Sequence, residues 1–397
     1  MNVLLRAATA AAATAWAVAA TAADAPDAAA SAAAPPARCA APTDDRKANL
    51  ACAVALARHA ESEAKAGRNA EALAEFARAD AFSPEDVRFA MARAALQLKT
   101  ANQLTPAGIE AATHAAPDDV GLAMMDAEVA VAKKDWASAL ADVDRVTARR
   151  PGALLAWEMR ATIDVARPDF DTARTDVDRA LQVDPKSAAS LRLRGILRSN
   201  SGDTAGALAD YEAARASQPR PTDPFVIGST QFLMHRFGDA AASLATRAPA
   251  APDGTYWRLW RYMALARLTG VERASGALGP GTPPGTPVSW PGPVVDYFHG
   301  TIDSTVLLDF AKKSQDTRDL SQVCEAHFYM AEDALLRQRA EAVGLFRQAV
   351  QECPSNFHEY EGATAELRAM GLPLTAPGPT KAAAAASSAP ASAASAP

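Results

Sequence analysis

The sequence has no stripe of basic residues. Its 40 Lys and Arg residues are scattered among 46 Asp and Glu residues, and the formal net charge is −6. Nucleic-acid binding requires a clustered positive surface, and anionic lipid attracts polybasic segments. We therefore expect neither nucleic acid nor an anionic membrane surface as a partner.

The sequence also lacks the common catalytic and metal-binding motifs. Its six histidines form no H-E-x-x-H motif, its four cysteines form no C-x-x-C motif, and no G-x-S-x-G occurs. The glycines of 279–285 alternate with prolines, which lack the N–H groups that a phosphate needs. Acidic pairs such as Asp142 and Asp144 are typical of a solvated helix face. We expect no enzyme, no cofactor and no metal, with an enzyme site in the C-terminal module as the open alternative.

Aromatic residues make up only 6% of the sequence, although 49% of it is hydrophobic. Alanine supplies much of that apolar fraction, and alanine is the strongest helix former. The composition therefore predicts closely packed helices and an all-α fold.

The N-terminus has no apolar run long enough for a confident membrane span. Residues 1–22 contain one charge, Arg6, and end in the small residues Ala20-Thr21-Ala22, as a cleavable signal peptide does. The first cysteine, Cys39, lies too far downstream for lipid attachment. We predict a cleaved signal, secretion to the periplasm and no stable membrane anchor, with an uncleaved N-terminal anchor as the open alternative.

The rest of the chain divides by composition. Residues 23–45 and 372–397 are rich in Ala, Pro and Ser, which predicts a disordered linker and a disordered tail. Between them we predict a repeat array over 46–254 and a C-terminal module over 255–371.

The stretch 188–219 contains a helix, a Gly202-Asp203 turn, a second helix and a closing proline. Similar prolines recur at intervals of 33, 34, 34 and 34 residues, at Pro84, Pro117, Pro151, Pro185 and Pro219. This pattern resembles the tetratricopeptide repeat (TPR), a helical hairpin of about 34 residues. The resemblance implies a right-handed solenoid of about seven hairpins, ending in a capping helix. The repeat at 86–119 is degenerate, and we place the turn of the sixth hairpin at Gly238-Asp239.

The inner face of such an array is lined by fixed positions of each first helix. The phase of the prolines puts a mixture of apolar and polar residues there, which suits a bound peptide or helix. Packing between neighbouring repeats is the open alternative. The predicted groove residues are Met124, Glu128, Val131, Leu155, Glu158, Thr162, Arg192, Ile196, Ser199 and Asn200.

The four cysteines allow three pairings. Cys324 opens a helix and Cys353 ends its hairpin partner, so these two should lie side by side. That pairing leaves Cys39 for Cys52. It also removes Cys324 as a nucleophile beside His327, three residues further on.

The helix beginning near residue 255 is dense in aromatics: Tyr256, Trp257, Trp260 and Tyr262. These side chains could form a recognition platform, but their spacing better fits a buried stripe, with Trp290 covering the same cluster.

Four C-terminal segments carry a more specific resemblance. They are WPGPVVDYFHGTI (290–302), CEAHFYMAEDALL (324–336), AEAVGLFRQAV (340–350) and NFHEYEGATAELRAMG (356–371). They resemble the C-terminal region of Nlp-type TPR lipoproteins, which are periplasmic adaptors. The resemblance implies an often dimeric scaffold that brings cell-wall hydrolases together with a processing protease. A structural factor that acts by self-association is the alternative.

Overall fold

The computed structural model describes residues 39–246, 253–283, 288–313, 321–355 and 357–374. These residues form 19 α-helices and no strand, which confirms the predicted all-α fold. The predicted signal peptide, most of the linker and most of the tail lie outside the described residues. The chain divides into two compact units, of which the first ends at Thr222 and the second begins at Asp223. Our sequence-based boundary at 254–255 followed repeat similarity rather than packing.

The first unit is a series of helical hairpins. Its helices are α1 (Arg46–Lys65), α2 (Asn69–Phe82), α3 (Arg88–Thr100), α4 (Pro106–Ala115), α5 (Val120–Lys133), α6 (Trp136–Arg149), α7 (Leu154–Ala166), α8 (Phe170–Val183), α9 (Ala188–Asn200) and α10 (Thr204–Ser217). Close pairing of α1 with α2, α5 with α6, α7 with α8 and α9 with α10 gives the predicted hairpins.

Each second helix of the first unit ends at the same place relative to its closing proline, as the sequence predicted. The helices α2, α4, α6, α8 and α10 all stop two residues before a closing proline, as Phe82 does before Pro84. Proline has no N–H to donate and clashes with the preceding helical turn, so it fixes these ends. Three of the hairpin turns contain a residue in the left-handed backbone conformation. These residues are Gly67 at φ 81°, Lys134 at φ 59° and Gly202 at φ 87°.

Glycines allow helices to touch where a side chain would not fit. A Cβ on Gly195 would lie 2.5 Å from the ring of Tyr211, which packs from α10 onto α9. A Cβ on Gly121 would lie 2.3 Å from the carbonyl oxygen of Ala90, because α5 crosses the backbone of α3. The short α4 also packs on α5.

Two contacts join segments that lie on either side of the degenerate repeat. The guanidinium of Arg150, after α6, donates to both carboxylate oxygens of Asp80 on α2, at 2.7 and 2.9 Å. The N–H of Gly152 donates to Glu85 at 2.8 Å. These contacts link the end of the first hairpin to the end of the third.

A contact between polar side chains 16 positions apart joins the two helices of three hairpins. His59 pairs with Glu75 at 2.6 Å, Arg160 with Asp176 at 3.3 Å, and Arg194 with Asp210 at 2.7 Å. The repeat phase explains this regularity, because each pair lies at the same distance from its turn.

The hairpin α5–α6 breaks the pattern, since its equivalent residues are Asp126 and Asp142. Our prediction that Asp142 is solvated is wrong: only 5% of it is exposed. It lies in the buried stripe of α6, one residue before Val143, and pairs with Arg145 instead. Burial raises the pKa of Asp142 to about 6, which Arg145 partly opposes.

The second unit contains the remaining helices. They are α11 (Asp223–Leu233), α12 (Phe237–Ser243), α13 (Asp253–Thr269), α14 (Val271–Ala274), α15 (Gly292–Phe298), α16 (Ser304–Lys312), α17 (Ser321–Leu336), α18 (Ala342–Glu352) and α19 (His358–Ala369). The last helix packs on both members of the α17–α18 hairpin and on α11, so it closes the unit. None of the described helices is long and apolar enough to span a membrane.

The turn of the sixth hairpin lies at His235, with φ 57°, and not at Gly238 as we predicted. Gly238 belongs to the first turn of α12. The repeat phase agrees with His235, because Ala240 follows it by five residues, as Ala207 follows Gly202. A Cβ on Gly228 would lie 2.6 Å from Leu244, which repeats the Gly195–Tyr211 contact.

Candidate functional site

The predicted groove residues fall into two groups by burial. Met124 is 0% exposed, and Val131, Ile196 and Ser199 are also buried. The burial of these four residues fits the alternative that such positions pack between neighbouring repeats. The other six are half-buried on α5, α7 and α9, and they are Glu128, Leu155, Glu158, Thr162, Arg192 and Asn200. These six residues form a smaller candidate surface, which we call the inner-face set.

Glu128 on α5 has an unusual environment. Its Oε1 atom is buried and has no hydrogen-bond partner. Burial raises its pKa to about 8, because a charged carboxylate is poorly solvated there. Because no described residue donates to that oxygen, Glu128 can accept a hydrogen bond from a partner.

Glu158 on α7 is satisfied within the chain. Its Oε1 atom accepts hydrogen bonds from the hydroxyls of Ser187 and Ser190, at 2.5 and 2.7 Å. Burial still raises its pKa, and the two serines oppose that rise. The sequence analysis missed these serines, although they lie about one repeat after Glu158.

Asn200 borders a cleft of about 310 Å³ between the α7–α8 turn and the end of α9. Phe170 and Leu197 supply apolar walls, and Arg174 supplies a half-exposed cation that pairs with Asp171 at 2.9 Å. The side chain of Asn200 donates to the carbonyl of Ile196, while its own oxygen is unpartnered.

Both predicted cysteine pairings are confirmed. The sulfur atoms of Cys39 and Cys52 are 2.07 Å apart, and those of Cys324 and Cys353 are 2.31 Å apart. His327 is engaged elsewhere: its Nδ1 lies 2.6 Å from Glu352, on the other helix of the same hairpin.

The aromatic residues of α13 form core, as their spacing indicated. Trp257, Trp260 and Tyr262 are buried, and Trp260 stacks on Phe328 with ring centroids 5.6 Å apart. Half-buried Tyr256 points its hydroxyl at Glu325. The second donor to that carboxylate is Trp290, as expected for a residue that covers the cluster.

Glu325 belongs to a buried carboxylate array that the sequence analysis missed. Tyr256 and Trp290 both donate to its Oε2, at 2.7 and 2.6 Å. Burial, with the nearby Glu359, raises the pKa of Glu325 to about 8. Tyr329 donates to Glu359 at 3.1 Å. At neutral pH we expect this carboxylate pair to hold a proton.

One helical heptad further along, Glu332 and Glu366 face each other. Arg267 on α13 lies 3.0 Å from Glu332 and 2.8 Å from Glu366. His235 also contacts Glu366, at 3.2 Å. The seven-residue spacing of the acids on α17 and α19 is the sequence signal that could have revealed the array.

His358 has structural contacts as well. Its Nδ1 lies 3.2 Å from Glu361, and its ring packs edge-on against Phe225 and Trp260. The hydrogen bond and charge of Glu361 raise the pKa of His358 despite its burial.

No protein-family model and no curated relative matches this sequence. Among solved structures, a TPR protein from Parabacteroides merdae is 15% identical, with a TM-score of 0.38, covering 57% of this chain and 90% of that one. A thermophilic TPR protein from Thermus thermophilus is 19% identical, with a TM-score of 0.32, covering 55% and 98%. Yeast Tom70 is 13% identical, with a TM-score of 0.35, covering 78% and 59%.

The fold is that of a tetratricopeptide repeat array. This assignment follows from the phased hairpins, their closing prolines and their small-residue contacts. The similarities to solved structures carry no information about what this chain binds.

Proposed function

We propose that this chain is a protein-binding scaffold of the cell envelope, and that the inner-face set on α5, α7 and α9 holds its partner. The supporting observation is the regular placement of that set. Glu128 and Thr162 occupy one repeat position on successive first helices, as do Glu158 and Arg192, and all four are half-buried. With Leu155, the set mixes polar and apolar groups. Such a surface suits an extended segment or an amphipathic helix.

The envelope location is supported by two features of the sequence. Residues 1–22 have the pattern of a cleavable signal, and both cysteine pairs lie at disulfide distance, which is typical of an oxidising compartment. The C-terminal resemblance to Nlp-type adaptors suggests cell-wall hydrolases or a processing protease as partners, and a homodimer as the oligomeric state.

The test compares two matched threonines. Thr162 on α7 and Thr175 on α8 each donate a hydrogen bond to the carbonyl four residues earlier, at 2.7 and 3.3 Å. Thr162 belongs to the inner-face set, whereas Thr175 is exposed on a second helix. The Thr162→Arg variant fills the inner face, and Thr175→Arg adds the same side chain elsewhere.

The measurement is affinity purification from an envelope extract, with the wild type and both variants as bait. We expect the wild type and Thr175→Arg to recover the same cell-wall hydrolase or protease, and Thr162→Arg to lose it. Recovery of cytosolic chaperones alone, or equal recovery by both variants, would contradict the proposal. Sedimentation of the purified chain separates an adaptor from a factor that acts by self-association.

A further inference from the structure

Buried carboxylates of the first unit normally have a cation from the same chain. Each acid of that unit that is less than one-tenth exposed forms an ion pair with an arginine. These pairs are Asp80–Arg150, Asp142–Arg145, Asp164–Arg167, Asp176–Arg160 and Asp210–Arg194. The arrangement is expected, because an unpaired buried charge costs several kcal/mol.

Glu128 lies outside that group, because the residue as a whole is half-buried, but its Oε1 atom is buried without a partner. Among the described residues no ion pair and no hydrogen bond reaches that atom. Burial is the cause of its raised pKa, with no cation opposing it. Glu158, at the neighbouring inner-face position, shows that the fold can supply donors to such a group, since Ser187 and Ser190 bond to it.

Glu128 is placed where a segment bound at the inner face would contact it. It lies on the first helix α5, in the inner-face set, and it retains some exposed surface. Leu155 and Thr162 of the same set lie on the next first helix, α7. A long basic side chain combines an apolar stem with a terminal charge, so it suits a half-buried carboxylate on a surface that also carries an apolar residue, Leu155.

We infer that Glu128 is the anchor for a lysine or arginine side chain of the protein segment bound at the inner face. This inference rests on the proposed function and specifies its partner: a segment with a basic residue at one fixed position. Binding transfers the proton of Glu128 to solvent and replaces it with the partner's cation.

The test uses a phage-displayed library of random peptides, selected on the full chain. We expect the selected peptides to share one Lys or Arg. Replacing that residue with Gln in the synthetic peptide should weaken binding roughly thirtyfold or more, because a buried charge loses its partner. The Glu128→Gln variant should weaken binding of the original peptide to a similar degree.

The control variant is Glu110→Gln, which removes one negative charge from an exposed position on α4. It should bind the original peptide as the wild type does. Calorimetry of the wild type in two buffers of different ionisation enthalpy should also show proton release on binding at pH 7, which Glu128→Gln should lack. This readout does not depend on comparing affinities between variants.

Two results would overturn the inference in distinguishable ways. Selected peptides that lose affinity with Thr162→Arg, but bind Glu128→Gln normally, would overturn the basic anchor and leave the inner face as the binding surface. Failure of the wild type to select any peptide would overturn the proposed function together with the inference.

Discussion

The guanidinium of Arg194 on α9 donates two parallel hydrogen bonds to the carboxylate of Asp210 on α10, at 2.9 and 2.7 Å. Arg198 adds a third, at 2.8 Å. This is the best-formed member of the ion pairs that join the helices of successive hairpins. Its counterpart in the α5–α6 hairpin is a pair of acids, Asp126 and Asp142. We therefore expect the contact between these two helices to be weaker at this position.

Placing a cation at position 126 should stabilise the first unit. The change is Asp126→Arg, which gives Asp142 the partner that Arg160 gives Asp176. We expect a gain of about 1 kcal/mol in the free energy of unfolding, measured by urea titration. The neutral variant Asp126→Asn should gain less, because it removes repulsion without adding a partner. A loss of stability with Asp126→Arg would show that the repeat positions are not equivalent there.

The turn residue Lys134 should be improved by glycine. Lys134 has φ 59°, in the left-handed region that glycine occupies in the equivalent turns at Gly67 and Gly202. We expect Lys134→Gly to raise the unfolding free energy by roughly 1 kcal/mol. Lys133→Gly is the control, because it lies within α5 and should lower stability by a similar amount. Thermal unfolding followed by circular dichroism measures both.

The buried carboxylate array should make the second unit less stable as pH rises. The pKa of Glu325 is about 8, well above its ordinary value of 4.5. The folded unit therefore binds more protons than the unfolded chain between about pH 4.5 and pH 8, so stability falls across that window. We expect the unfolding midpoint to decline less steeply in Glu325→Gln, which keeps an oxygen to accept from Tyr256 and Trp290.

The matched control is Glu341→Gln, at an exposed position before α18. It should follow the wild-type dependence on pH. An unchanged slope in Glu325→Gln, measured by thermal unfolding from pH 5 to pH 9, would show that Glu325 does not hold its proton in the folded unit.

The cysteine pair of the α17–α18 hairpin should stabilise the second unit. It closes a loop with a sequence separation of 29 residues. Replacing Cys324 and Cys353 with serine should therefore cost roughly 3–4 kcal/mol, by the chain-entropy argument. Urea unfolding of oxidised wild type, reduced wild type and the double variant measures this cost. Equal stability of oxidised and reduced protein would contradict it.

The helix ends could be predicted from the sequence because proline acts locally. Pro84 and Pro219 each end a helix regardless of what packs around it. The sixth turn was misplaced because Gly238 is a strong local signal, while the true turn at His235 is marked only by the phase of Ala240 and Gly228. At this turn the glycine signal and the repeat phase predict different positions, and the structure agrees with the repeat phase.

The candidate site was harder to predict than the fold. Repeat phase correctly identified first-helix positions but not their depth, so Met124 entered the groove set although it is fully buried. Met124 lies in the same apolar cluster as Ala90, whose carbonyl meets α5 at Gly121. Similarly, Asp142 lies inside because the buried stripe of α6 is wide enough to include it.

The most direct test of the protein-binding surface is photo-crosslinking in the envelope. A photoreactive amino acid is placed at Leu155 in the inner-face set, or at Thr175 on the second helix α8, and intact cells are irradiated. We predict a discrete crosslinked protein from position 155 and none from position 175. Crosslinks of equal yield from both positions, or from position 175 alone, would contradict binding at the inner face.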